Sequence, residues 1–163
     1  MVQSFIKITY CFIFIQSTLL YAQADDIIDN ISLNGKWAII FDQDNRGVVE
    51  NWHLKHLFEN HKEVADIQVP SHWETMKKDY EGVVFYKKSF WVPKSWNVGV
   101  FSLHFEAVNY KTEVWLNDQA VGTHEGGFTP FSFQVDEVLK PGEMNHIITV
   151  SYTHLTLPTS DLV

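Results

Sequence analysis

The stretch Thr112–Phe133 (TEVWLNDQAVGTHEGGFTPFSF) limits the fold most narrowly. Val114 and Leu116 alternate with Glu113, Trp115 and Asn117, the two-residue period of a strand with unlike faces. Asn117-Asp118 break that run with two residues that tolerate left-handed backbone, as a tight hairpin turn requires. Ala120-Val121 lead back. Gly126-Gly127 follow His124-Glu125 at a point where the backbone turns sharply or passes close to something. Pro130 excludes a helix, and Phe131, Phe133 and Val135 resume the alternation. The stretch reads as antiparallel sheet with a glycine loop at its rim.

The rest of the chain repeats the pattern. Leu33–Phe41 opens with an Asn34-Gly35 turn and sets Trp37, Ile39 and Phe41 on one face. Ile67–Trp73 is a short strand stopped by Pro70. In Gly82–Pro93, Val84, Tyr86, Lys88 and Phe90 share one face, and Val83, Phe85, Lys87, Ser89 and Trp91 the other. Val100–Phe105 points Phe101, Leu103 and Phe105 inward, and a last strand spans Asn145–Val150 after the Pro141-Gly142 turn. Val48–His61 carries Val49, Trp52, Leu54, Leu57 and Phe58, which suit a short amphipathic helix or an irregular segment clamped by Trp52. Short strands, frequent turn signals and little helix predict an all-β chain, an antiparallel β-sandwich or jelly roll.

The chain's 163 residues can bury a core, and 45% of them are hydrophobic. A formal net charge of −8 argues against a nucleic-acid partner, which needs a basic face. The Asp42–Gly47 loop lacks the terminal glutamate of an EF-hand and reads as a solvated turn. His53 and His56 are three apart, but no carboxylate or third histidine has matching helical spacing, so these two and His61 read as surface histidines. No metal and no cofactor is expected.

Both ends stand apart from the core pattern. Met1–Ala24 has the features of a secretory signal peptide: Lys7, the apolar run Ile8–Leu20, and Ala22-Gln23-Ala24 before Asp25-Asp26. The run is shorter than a membrane-spanning helix requires, so the expectation is cleavage and export to the periplasm or medium, with no membrane attachment afterwards. The lone cysteine, Cys11, would leave with it, and with it any disulfide or thiolate chemistry. Val150–Thr159 (VSYTHLTLPT) matches the translation of a transposon sequencing adaptor. The expected division is therefore signal peptide 1–24, folded domain 25–149 and a non-native tail 150–163, with a longer gene cut near Thr149.

The phrases LNGKWAIIFD, GVVENW, VPSHWE, YEGVVFYKKSFWVPKSW and FEAVNYKTEVWLNDQAVGTHEGGFTPFSFQV, in that order, resemble the N-terminal domain of a family 2 glycoside hydrolase of the β-glucuronidase/β-galactosidase type. The resemblance covers Leu33 to Thr149. It implies a galactose-binding-domain-like jelly roll, the family's sugar-binding domain, followed by an immunoglobulin-like sandwich and a catalytic (β/α)8 barrel. It also implies a carbohydrate substrate, hydrolysed with retention by two glutamates about 5–5.5 Å apart. The family's acid/base lies in an Asn-Glu pair, and this sequence contains no such pair. No catalytic residue is therefore assigned, and the chain alone is expected to be inactive.

One local contribution follows from the resemblance. In the β-galactosidase branch the loop matching His124–Thr129 carries an aspartate that reaches the substrate pocket, whereas here Gly126 stands at that position. Two readings of His124, Glu125, Gly126 and Gly127 stay open: a substrate-pocket rim brought close to the barrel, or a glycine turn with His124 stacked in the sandwich. Trp73, Trp91, Trp96 and Trp115 are candidates for stacking on sugar faces. The rival functions are a free-standing carbohydrate-binding module and a purely structural β-sandwich.

Overall fold

The computed structural model describes residues 30–153 and the backbone of Gln3–Thr9. Over these the alternating runs become strands β1 (Gln3–Thr9), β2 (Asn30–Ser32), β3 (Gly35–Asp42), β4 (Ala65–Val69), β5 (Val83–Trp91), β6 (Val100–Ala107), β7 (Lys111–Leu116), β8 (Gln119–Glu125), β9 (Phe131–Gln134) and β10 (Met144–Tyr152). One short helix, α1 (Lys55–Glu59), and a single 3-10 turn at Trp73–Thr75 complete the described elements. The strands form two antiparallel sheets, ordered β2-β1-β6-β9 and β4-β3-β5-β10-β7-β8. The all-β sandwich expected from the sequence is the fold.

The core follows from side chains spaced two apart on each strand. Trp37 and Ile39 of β3, Val84, Tyr86 and Phe90 of β5, Val114 and Leu116 of β7 and Ile147 of β10 meet Phe101, Leu103 and Phe105 of β6 between the sheets. A second, smaller core lies on the outer face of the six-stranded sheet. There Ile40, Val83, Phe85, Ile148 and Val150 are covered by Trp52 and Phe58. Val83 to Tyr86 are thus four buried residues in a row, because both faces of β5 are covered at that end.

The covering segment settles what Val48–His61 becomes. It is mostly turns, with α1 as its one helix, and Trp52 is the clamp. The Trp52 ring lies 5.6 Å from that of Phe85 and 4.2 Å from that of His61, and its Nε1–H donates to Glu50 Oε2 at 3.0 Å. Gly47 makes this approach possible, since a Cβ there would sit 2.4 Å from the Phe85 ring. The turn before it is tied by Asp42, whose carboxylate accepts from the Arg46 N–H at 2.9 Å and the Gly47 N–H at 2.7 Å.

The hairpin turn forms as read: Asn117 and Asp118 take φ of 53° and 66°. Asn117 is also a buried hub. Its Nδ2 donates to Val138 O at 2.8 Å and Asn145 Oδ1 at 2.7 Å, and its Oδ1 accepts from the His146 N–H at 3.1 Å. At the other end of the chain, β10 runs past Thr149 to Tyr152, paired with β5 on one side and β7 on the other. Most of the expected leader and residues 154–163 lie outside the described residues. Gln3–Thr9, the described part of that leader, forms β1 between β2 and β6.

Candidate functional site

Residues Glu125–Thr129 leave β8 at the end of the sheet where β6 hands over to β7. The Gly126 N–H donates to Tyr110 O at 2.8 Å, and the Tyr110 N–H donates to Tyr152 O at 2.9 Å. The glycine loop, the Asn109-Tyr110 corner and the end of β10 are therefore one hydrogen-bonded edge. Ser151 Oγ–H adds a bond to Asn109 O at 2.6 Å.

Each glycine has a local cause. Gly126 has φ +143°, a conformation that side chains rarely adopt. A Cβ on Gly127 would sit 2.6 Å from Asn109 Oδ1, so only glycine lets the Asn109 side chain lie against the loop. His124 stacks on Phe131, with ring centroids 4.0 Å apart and planes 14° from parallel. Its Nε2 pairs with Thr129 Oγ1 at 3.2 Å. His124 thus braces the loop from beneath.

The outward groups are Glu125, Tyr110 and Phe128. Glu125 is exposed, and its carboxylate accepts the Tyr110 hydroxyl, which raises the Tyr110 pKa above the ordinary tyrosine value. Phe128, at the loop tip, is 88% exposed. A carboxylate, a phenol and an apolar ring on one edge match the needs of sugar contact: acceptors and donors for hydroxyls, and a face for C–H groups. The sequence pointed to Glu125 and the glycines of this edge, but not to Tyr110, Asn109 or Phe128. Nothing periodic marks a corner residue, and Phe128 sits between glycine and proline, where alternation stops.

The tryptophan candidates separate clearly. Trp73 and Trp96 are buried in the main core. Trp115 is half-buried on the outer face, and His53 stacks on its ring at 4.8 Å. Trp91 is 55% exposed, opposite Met144, and lies at the far end of β10 from the loop, roughly 27 Å along the strand. His61 packs on Trp52, and no group of three His, Cys, Asp or Glu side chains able to hold a metal occurs among the described residues.

Two antiparallel sheets with a hydrogen-bonded loop at one end define a β-sandwich. Residues 75–159 match the family described as "Glycosyl hydrolases family 2, sugar binding domain", and the chain belongs to that family. It is 32% identical over 123 residues to a β-glucuronidase of Paenibacillus borealis, covering 72% of this chain and 20% of that protein. It is 32% identical over 129 residues to a β-galactosidase of Thermoanaerobacter pseudethanolicus, covering 77% of this chain and 16% of that protein. Among solved structures, the β-glucuronidase of Lactobacillus rhamnosus superposes with a TM-score of 0.72 at 27% identity, over 86% of this chain and 24% of that one. The chain spans about a fifth of the length of the curated relatives it matches, and no (β/α)8 barrel occurs among its described residues.

Proposed function

We propose that this chain works as the accessory N-terminal domain of an exported, retaining β-glycosidase. In this reading an immunoglobulin-like domain and a (β/α)8 barrel follow it and carry out the hydrolysis of a terminal β-glycoside. The observation that carries the reading is the shared edge: Gly126 bonds to Tyr110, and Tyr110 bonds to Tyr152 at the end of β10. The loop and the point from which the polypeptide runs on toward further domains are thus neighbours. A barrel following β10 would meet this edge first, with Glu125, Tyr110 and Phe128 facing it.

The rim role falls to Glu125 and Tyr110, and the structural role to His124, Gly126 and Gly127. Glycoside cleavage needs two carboxylates about 5 Å apart, and in this reading both belong to the barrel. Glu125 is suited to accept a hydrogen bond from a substrate hydroxyl. In a longer polypeptide containing the barrel, Glu125→Gln should raise KM several-fold with kcat changed less, as expected when binding common to ground and transition states is lost. Unchanged kinetics would take Glu125 out of the pocket. Calorimetric titration of this chain with β-glycosides gives a second check: saturable binding without the barrel would favour a free-standing carbohydrate-binding module.

A further inference from the structure

The outer face of the four-stranded sheet carries a row of polar side chains of its own. On β6, Phe101, Leu103 and Phe105 fill the main core, so Ser102, His104 and Glu106, which alternate with them, point outward. β9 pairs with β6 so that Ser132 stands directly opposite His104. Ser132 is exposed, while Phe131 and Phe133 on either side of it pack against the core. The register thus brings a hydroxyl, an imidazole and a carboxylate into one row.

The row has a polarity. His104 Nε2 lies 3.5 Å from Glu106 Oε1, and His104 Nδ1 lies 2.9 Å from Ser132 Oγ. A carboxylate only accepts, so in the neutral imidazole the ring proton belongs on Nε2, toward Glu106. The Nδ1 lone pair then faces Ser132, whose hydroxyl donates to it. A serine hydroxyl bonded to a basic ring nitrogen, with the ring oriented by a third group, is the arrangement that activates a nucleophile. It is defined by geometry and roles, whatever the fold that carries it.

Two further features fit that use. The side chains of His104 and Glu106 are 26% and 42% exposed, so a solute can reach Ser132 while the imidazole stays partly shielded. β9 is the last strand of its sheet. An edge strand leaves alternate N–H groups without a ladder partner, and such groups are the donors a developing oxyanion needs.

We propose that Ser132 is an acyl-accepting nucleophile with His104 as its general base, that Glu106 positions the imidazole, and that the substrate is a short-chain carboxylic ester. Ser132 Oγ bonds to the carbonyl carbon of the ester as its proton passes to His104 Nδ1. The bond from that carbon to the alcohol oxygen breaks, and the alcohol leaves with the proton held by His104. Water then attacks the acyl-serine and gives a proton to His104, which returns one to Ser132 Oγ as the carboxylic acid departs. The other outward side chains of β6 and β9 near the row, Ser102 and Gln134, are polar, which suits a short acyl group. The inference involves no glycosidic bond and stands whether or not the glycosidase reading holds.

The test treats the full chain with a fluorophosphonate, which labels activated serines, and locates the label by peptide mass mapping. Ser132 should carry it, and should react about 100-fold faster than in His104→Gln, the scale of general-base assistance. No label on Ser132, or equal rates in the two proteins, would overturn the proposal. A second measurement does not depend on how His104→Gln folds. With p-nitrophenyl acetate the chain should give a burst of nitrophenol followed by steady turnover, both lost in Ser132→Ala, where only the slow reaction of surface histidines remains. Identical time courses would overturn the ester activity. Glu106→Gln should slow labelling at least about tenfold, and the 15N shifts of His104 should change from a proton held on Nε2 to one shared between the two nitrogens. Labelling unchanged in that variant would remove Glu106 from its positioning role, and a proton on Nδ1 in the unsubstituted chain would overturn the whole arrangement.

Discussion

Asn145 is 1% exposed and uses all of its amide. Oδ1 accepts from Asn117 Nδ2 and the Lys140 N–H, and Nδ2 donates to Lys140 O and Glu143 O. Asn145→Ala leaves these partners unpaired in a buried place and should cost about 3 kcal/mol, read as a lowered midpoint in urea unfolding. Asn145→Asp should be no milder, because an acceptor-only side chain would face two carbonyls. None of this was legible in the sequence. Asn145 marked only the start of a strand, and Asn117 read only as a turn former. A network joining Asn117 to the Lys140–Asn145 turn depends on two distant segments meeting, which no local pattern encodes. Gly126 and Gly127 were legible as a turn, while their causes, a positive φ and the Asn109 side chain, were not.

At the scale of elements, alternation gave β3, β5, β6, β7 and β10, because each has an apolar face fixed by the sheet. Segment 47–61 could not be read the same way. Its shape is set by the second core, so the same residues satisfy either a helix or a folded cover. Trp52 carries that cover, and Trp52→Ala should cost about 3–4 kcal/mol and raise proteolysis within 47–61. The far end of the cover is pinned by Asp118, which accepts from the Lys55 N–H at 2.8 Å and pairs with His146 Nε2 at 2.9 Å. Burial works against the Asp118 carboxylate, but the Lys55 N–H and the neighbouring His146 and His56 outweigh it and hold its pKa below the ordinary aspartate value. A depressed carboxylate adds stability above its unfolded pKa, near 4, and loses it as pH falls through the lower folded pKa. Asp118→Asn should therefore flatten the acid limb of a stability-versus-pH curve. The loss at neutral pH should be small, about 0.5 kcal/mol, because much of the group faces water.

At the scale of the molecule, the question is whether a sandwich bearing twenty acidic residues could cleave a glycoside unaided. Retaining hydrolysis needs a nucleophilic carboxylate and, close by, a second one whose pKa is raised so that it stays protonated to serve as acid. The carboxyls of Glu59 and Asp118 are both displaced below their ordinary values. Lys87 does this for Glu59, and the Lys55 N–H and the histidines do it for Asp118. Both sit on the outer side of the six-stranded sheet or its turn, away from the Glu125 edge, and each is engaged with a cation or histidine. Glu59 and Asp118 are thus held ionised by their partners, the reverse of what the acid of a catalytic pair requires. The chain alone should give no hydrolysis of p-nitrophenyl β-glucuronide or β-galactoside above the buffer rate between pH 4 and 8, measured by released nitrophenol. A saturable rate that Glu125→Gln abolished would mean that the edge loop does chemistry after all, and the division of labour between sandwich and barrel would have to be redrawn.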